Sequence, residues 1–105
     1  MQIQPVLING QWIASTGAKT FQAVNPATAE VLASQFPVSP WEEIESVIQA
    51  ASTAAQEMRG WPGERFAAFL EAYAAEIEKR ADALVQTAHQ ETGYPESPRL
   101  RDGEL

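Results

Sequence analysis

Between the break at Trp61-Pro62-Gly63 and the stop at Gly93 and Pro95, apolar residues return at helical spacing: Phe66, Phe69, Leu70, Tyr73, Ile77, Leu84, Val85 and Ala88. A helix over that whole stretch, at about 1.5 Å per residue, runs some 45 Å. Most of its stability must come from packing along the stripe rather than from helix propensity. The chain has 105 residues in all, and what lies outside this stretch is too little to cover the stripe. The covering surface is therefore expected in sequence beyond Leu105. The 105 residues alone should leave Phe66, Phe69, Tyr73, Ile77 and Leu84 uncovered and self-associate as oligomers or swapped helices.

A shorter helix is predicted before it. Ser39-Pro40-Trp41-Glu42 reads as a capping box, with the Ser39 hydroxyl and Glu42 carboxylate serving each other's backbone donors and Pro40 at the first helical position. From there Trp41, Ile44, Val47, Ile48, Ala51, Ala55 and Met58 form one apolar stripe that ends before Gly60. Glu42, Glu43 and Glu45 lie in its first turns, where negative charge complements the helix dipole. Upstream of Pro37-Val38-Ser39-Pro40 the hydrophobic spacing is strand-like. Val6-Leu7-Ile8 and Gln11-Trp12-Ile13-Ala14 flank Asn9-Gly10, the pair suited to a type I′ hairpin turn. Thr20–Val24 and a strand from Glu30 to Phe36 flank the turn-forming Asn25-Pro26-Ala27-Thr28. The expected division is a β-hairpin region over 1–38 and a helical region over 39–105.

Composition limits what such a chain does. With 45% hydrophobic and 20% charged residues it has the make-up of a folded globular protein. Its net charge of −7 repels phosphate backbones and anionic lipid, so nucleic acid and membrane are excluded as partners. No apolar run reaches the roughly 18 residues that span a bilayer, and Met1-Gln2-Ile3-Gln4-Pro5 has no signal-peptide pattern, so a cytoplasmic location is expected. The sequence has no cysteine. That excludes a disulfide framework, a Cys-ligated zinc and any thiolate nucleophile.

Little in the chain points to chemistry. The six glycines are scattered and form neither G-x-G-x-x-G nor a P-loop, so no cofactor-binding residue is assigned. His89, the single histidine, sits in the last turn of a predicted helix, where the ordinary role is to complement the dipole. Glu71, Glu76, Glu78 and Asp82 could be acid–base carboxylates, but they lie opposite the apolar stripe among Lys79 and Arg80, as on a solvated face. Trp12, Trp41 and Trp61 could stack on a ligand; beside turns and helix ends they read instead as core anchors. No catalytic residue is assigned.

Five motifs nevertheless occur in register: Leu7-Ile8-Asn9-Gly10-Gln11-Trp12; Phe21 with Asn25-Pro26-Ala27-Thr28-Ala29-Glu30; Ala50-Ala51 through Trp61; Arg65; and Glu91-Thr92-Gly93-Tyr94-Pro95. In order and spacing they resemble the opening of the aldehyde dehydrogenase superfamily. The ending Pro98-Arg99-Leu100-Arg101-Asp102-Gly103-Glu104-Leu105 is similar to the branch that oxidises α-ketoglutaric semialdehyde, often with NADP.

The resemblance implies an α/β fold of which this chain is a fragment: β-hairpins followed by two long helices that pack on a Rossmann-like nucleotide domain, the region 39–105 being the start of that domain. In the family a cysteine attacks the aldehyde, hydride passes to NAD or NADP, and a glutamate activates the water that hydrolyses the thioester. Those residues fall after the region matched, so the chain is expected to be an inactive scaffold whose partner is the remainder of its own polypeptide, in a homo-oligomer. The resemblance also implies a monovalent-cation site through the main-chain oxygen of Val24 and an acidic residue at Asp102 or Glu104, oxygen ligands being suited to a hard cation. The rival reading is a complete, non-catalytic α+β module that binds a protein through an exposed helix face.

Overall fold

The structure is a computed structural model and describes residues 2–105. Two short hairpins come first. Strands β1 (Val6–Ile8) and β2 (Gln11–Ile13) pair antiparallel, with Val6 opposite Ile13, Leu7 opposite Trp12 and Ile8 opposite Gln11. The two residues left between them, Asn9 (φ 50°) and Gly10 (φ 78°), take the left-handed conformation that a two-residue type I′ turn requires. Strands β3 (Thr20–Val24) and β4 (Val31–Pro37) form the second sheet. Their turn closes when the Asn25 amide donates to the Glu30 carbonyl and the Asn25 side-chain oxygen accepts from the Ala27 amide, both near 2.9 Å. This is the expected Asn-Pro turn, and it holds Ala29 at φ 62°. The segment around Ile3 adds to β4 in parallel through a bridge to Gln35.

Helix α1 (Trp41–Met58) begins and ends close to where its stripe predicts. Its start differs in detail. The Pro40 carbonyl accepts from the Glu43 and Ile44 amides, so Pro40 caps the helix rather than opening it, and no side chain caps the end. The reason is that Ser39 is drawn to the Glu43 carboxylate, not into a reciprocal box with Glu42.

The long predicted helix is divided. Helix α2 (Gly63–Lys79) stops where Arg80 leaves helical geometry (φ −104°, ψ 15°), and α3 (Ala81–Thr92) resumes at once. The Arg80 amide still reaches the Glu76 and Ile77 carbonyls, and its carbonyl accepts from Leu84, so the break costs few backbone bonds. No glycine or proline marks it. Helix α3 ends as expected at Gly93, which takes φ 73° and donates its amide to the His89 carbonyl. A wide, π-type segment, α4 (Glu96–Glu104), follows, with Ser97 outside helical geometry. The mixed α/β character agrees with the class expected.

The chain packs as two units, one running up to Ala23 and including Ala33–Trp61, the other combining Val24–Leu32 with Pro62–Leu105. In the first, α1 lies on β1; in the second, α3 packs on α2 and on α4. The core is very small. Among the described residues the only buried hydrophobic side chains are Val85 and Leu100, which meet where α3 and α4 pack in the second unit. No helix among them is long and apolar enough to cross a membrane.

Candidate functional site

Of the titratable residues singled out in the sequence, His89, Glu76 and Asp82 have structural partners, while Glu71 and Glu78 lie exposed on α2. His89 places Nδ1 2.6 Å from the Tyr94 carbonyl, so that nitrogen carries the proton and donates across the Gly93 turn. Glu76 pairs with Lys79 (3.1 Å) and Arg80 (3.0 Å) on the exposed face of α2. Asp82, in the first turn of α3, accepts a 2.7 Å bond from Arg101, and that bond is the main cause of the raised Arg101 pKa. Among the described residues no three His, Asp or Glu side chains gather where they could hold a metal ion.

One carboxylate stands apart. Glu43 is 9% exposed and is, among the described residues, the buried polar one. It accepts from the Ser15 hydroxyl at 2.7 Å, the Thr16 amide at 3.0 Å and the Ser39 hydroxyl. These donors favour the charged form and lower its pKa, with Ser39 the largest contributor, then Ser15, then Thr16. The arrangement is a clamp: it ties the loop before β3 to the first turn of α1. With its donors supplied by Ser15, Thr16 and Ser39 of the chain itself, it holds the chain together rather than a substrate. Local sequence rules do not reveal it, because Ser15 and Glu43 are 28 positions apart.

Val24 and Glu104, the expected cation ligands, lie at the end of β3 and the end of α4. The Glu104 carboxylate is engaged by Arg99 Nε at 2.8 Å, while the Arg99 guanidinium also sits 4.4 Å over the Tyr94 ring. A cation at Glu104 would have to displace that guanidinium. Asp102 is exposed.

What the chain does offer is apolar surface. On α2, Phe69, Leu70 and Tyr73 are each at least 60% exposed, and the Phe69 and Tyr73 rings stack at 6.1 Å. Phe66 and Ile77 on the same helix are half-buried, and Leu84 on α3 is exposed. Leu84, Val85, Ala88, Leu100 and Leu105 line an open groove between α3 and α4. In the first unit Trp41, Ile44 and Ile48 leave the α1 stripe largely bare, and Leu7 and Trp12 do the same for the first hairpin. The core-anchor reading therefore fails for Trp12 and Trp41, which are 69% and 66% exposed: these 105 residues hold nothing large enough to cover them. Trp61 is half-buried. Each unit thus bares large apolar side chains in groups, more than the scattered single residues ordinary on a protein surface.

Comparison with known proteins gives these bare faces a context. The chain is 40% identical over 86 residues to malonate-semialdehyde dehydrogenase 3 of Geobacillus kaustophilus, a match covering 82% of this chain and 18% of that protein. It is 38% identical over 91 residues to N-succinylglutamate 5-semialdehyde dehydrogenase of Pseudomonas fluorescens, covering 84% and 18%. With alpha-ketoglutaric semialdehyde dehydrogenase 2 of Azospirillum brasilense it shares 35% over 96 residues, covering 90% and 18%. It thus spans less than a fifth of the length of the curated relatives it matches. The model of the aldehyde dehydrogenase family matches residues 12–102, from the exposed Trp12 of the first hairpin into α4, and by that match this chain belongs to the aldehyde dehydrogenase family.

Proposed function

We propose that these residues are the amino-terminal, non-catalytic scaffold of an NAD(P)-dependent aldehyde dehydrogenase, and that the bare apolar faces are where the remainder of the polypeptide packs. The observation that carries this reading is the exposure of Phe69, Leu70 and Tyr73 on a chain matching under a fifth of its relatives' length. At about 25 cal/mol per Å², leaving such side chains in water forgoes roughly 1.5–3 kcal/mol each, which a covering domain recovers. The parent reaction needs a thiolate to capture the aldehyde carbon and a base to activate water. The chain has no cysteine, and among the described residues no cluster of acidic or histidine side chains gathers, which supports positioning of other elements rather than bond-making. The cofactor, when bound to the parent, would accept the hydride; no residue here is assigned to hold it.

The relatives suggest the substrate class. Malonate semialdehyde, N-succinylglutamate semialdehyde and α-ketoglutaric semialdehyde each carry a carboxylate besides the aldehyde, and an acid-bearing aldehyde is the substrate class proposed, α-ketoglutaric semialdehyde among its members. A cytoplasmic homo-oligomer is the proposed setting. A monovalent cation at Val24 and Glu104 belongs to the same proposal and requires the Arg99 pair to open. Two measurements test the whole. The purified 105 residues, given NAD or NADP and each semialdehyde, should produce no reduced cofactor; turnover would refute the scaffold role. An antibody to this segment should detect, in the source cell's soluble fraction, a polypeptide several times heavier than 11.5 kDa that oxidises these aldehydes; a native species of 11.5 kDa would refute the parent enzyme.

A further inference from the structure

The first hairpin turns on Asn9 and Gly10, both exposed, both at positive φ, with open space around Gly10. We infer that Asn9 is a site of spontaneous deamidation, the one asparagine of this chain placed to react, and that water is its co-reactant. The nucleophile is the Gly10 main-chain nitrogen. In this two-residue turn the ladder closes on Ile8 and Gln11, so Gly10 lies outside the paired residues, and it is exposed. Once a base removes its proton, that nitrogen bonds to Cγ of Asn9. The Cγ–nitrogen bond of the side-chain amide breaks and ammonia leaves, closing a succinimide ring. Water then opens the ring at either carbonyl, giving aspartate or isoaspartate at position 9, with NH2 replaced by OH overall and one negative charge gained. Glycine suits the step because it has no Cβ to obstruct the approach.

The other asparagine is barred. Asn25 precedes Pro26, whose nitrogen bears no hydrogen, and its side-chain oxygen is held by the Ala27 amide at 2.9 Å. Asp102-Gly103 can form the same ring, but only from the protonated carboxyl with loss of water, a form scarce at mildly alkaline pH, and it lies inside α4. The two products differ in effect. Aspartate is at home in this turn. Isoaspartate moves Cβ into the main chain, lengthening a connection that fits two ordinary residues, and breaks the pairing of Val6 with Ile13.

The test incubates the whole chain at mildly alkaline pH, folded and in urea, and follows the tryptic peptide that ends at Lys19. The expected result is a gain of about one dalton, an added acidic species on ion exchange, and a methyl label on that peptide from an isoaspartyl methyltransferase probe. The folded rate should lie within a few-fold of the rate in urea. Asn9→Gly, which keeps a type I′ turn, should abolish all three signals. Conversion in urea but not in the folded chain would show that the hairpin shields Asn9, and would overturn the inference. So would conversion in neither state, or a label confined to the peptide after Arg101.

Discussion

The Ser15 hydroxyl donates a 2.7 Å hydrogen bond to the Glu43 carboxylate, fastening the loop before β3 to the first turn of α1. Together with Ser39 and the Thr16 amide it stabilises the carboxylate, so the folded-state pKa lies below the ordinary 4.5. A depressed carboxylate pKa contributes stability that is fully present above the unfolded value and is lost as pH falls through the folded value. Stability should therefore be level with respect to this group above pH 4.5 and decline below it. Acid titration of the helical circular dichroism, compared with Glu43→Gln, checks this: the substitution should lower stability at neutral pH and flatten the acid limb. An unchanged acid limb would show that the clamp contributes nothing to folding.

Reading the chain locally recovers the parts that local rules govern. Asn9-Gly10 forms the predicted turn because two adjacent positive φ values are cheap only for such residues, and Gly93 ends α3 for the same reason. The α1 stripe and the Asn25 turn follow equally from short-range spacing and side-chain reach. The break at Arg80 is not legible: Ile77 to Leu84 is an uninterrupted run of helix-compatible residues, and nothing in the structure explains why it falls there. Glu43 rather than Glu42 takes Ser39 because its other donors come from Ser15 and Thr16, far away in sequence. Trp12 and Trp41 have every mark of buried residues, yet burial depends on a covering surface that their own neighbourhoods do not encode.

Two glycines should respond oppositely to alanine. A Cβ at Gly17 would run into the Val38 carbonyl, which is main chain and cannot swing aside, so Gly17→Ala should cost about 1–3 kcal/mol and loosen the loop that Glu43 holds. Gly60 has open space around it, and Gly60→Ala should be neutral or stabilise by up to about 1 kcal/mol through the unfolded chain. Urea unfolding of the two variants decides; equal effects would mean that the loop does not back onto Val38.

Asn25→Ala should remove the side-chain bond that shapes the β3–β4 turn, at a cost of about 0.5–1.5 kcal/mol, while Asn25→Asp keeps the acceptor and most of the stability. Amide hydrogen exchange at Ala27 reports the local change. Exchange as slow in Asn25→Ala as in the parent would show that the backbone bond between Asn25 and Glu30 suffices.

The contrast between Leu100 and Phe69 tests how the apolar residues divide between core and interface. Leu100 is 6% exposed, packed where α3 meets α4, and Leu100→Ala should cost about 2–5 kcal/mol as transfer and cavity losses add. Phe69 is 63% exposed, so Phe69→Ala should change folding stability by no more than about 0.5 kcal/mol, despite removing a larger side chain. Its effect should appear in association instead: sedimentation of the 105 residues should show oligomers that weaken in Phe69→Ala and weaken further with Tyr73→Ala, because the two rings form one stacked patch. If Phe69→Ala destabilises as strongly as Leu100→Ala, the ring is already buried within this chain and needs no further surface to cover it.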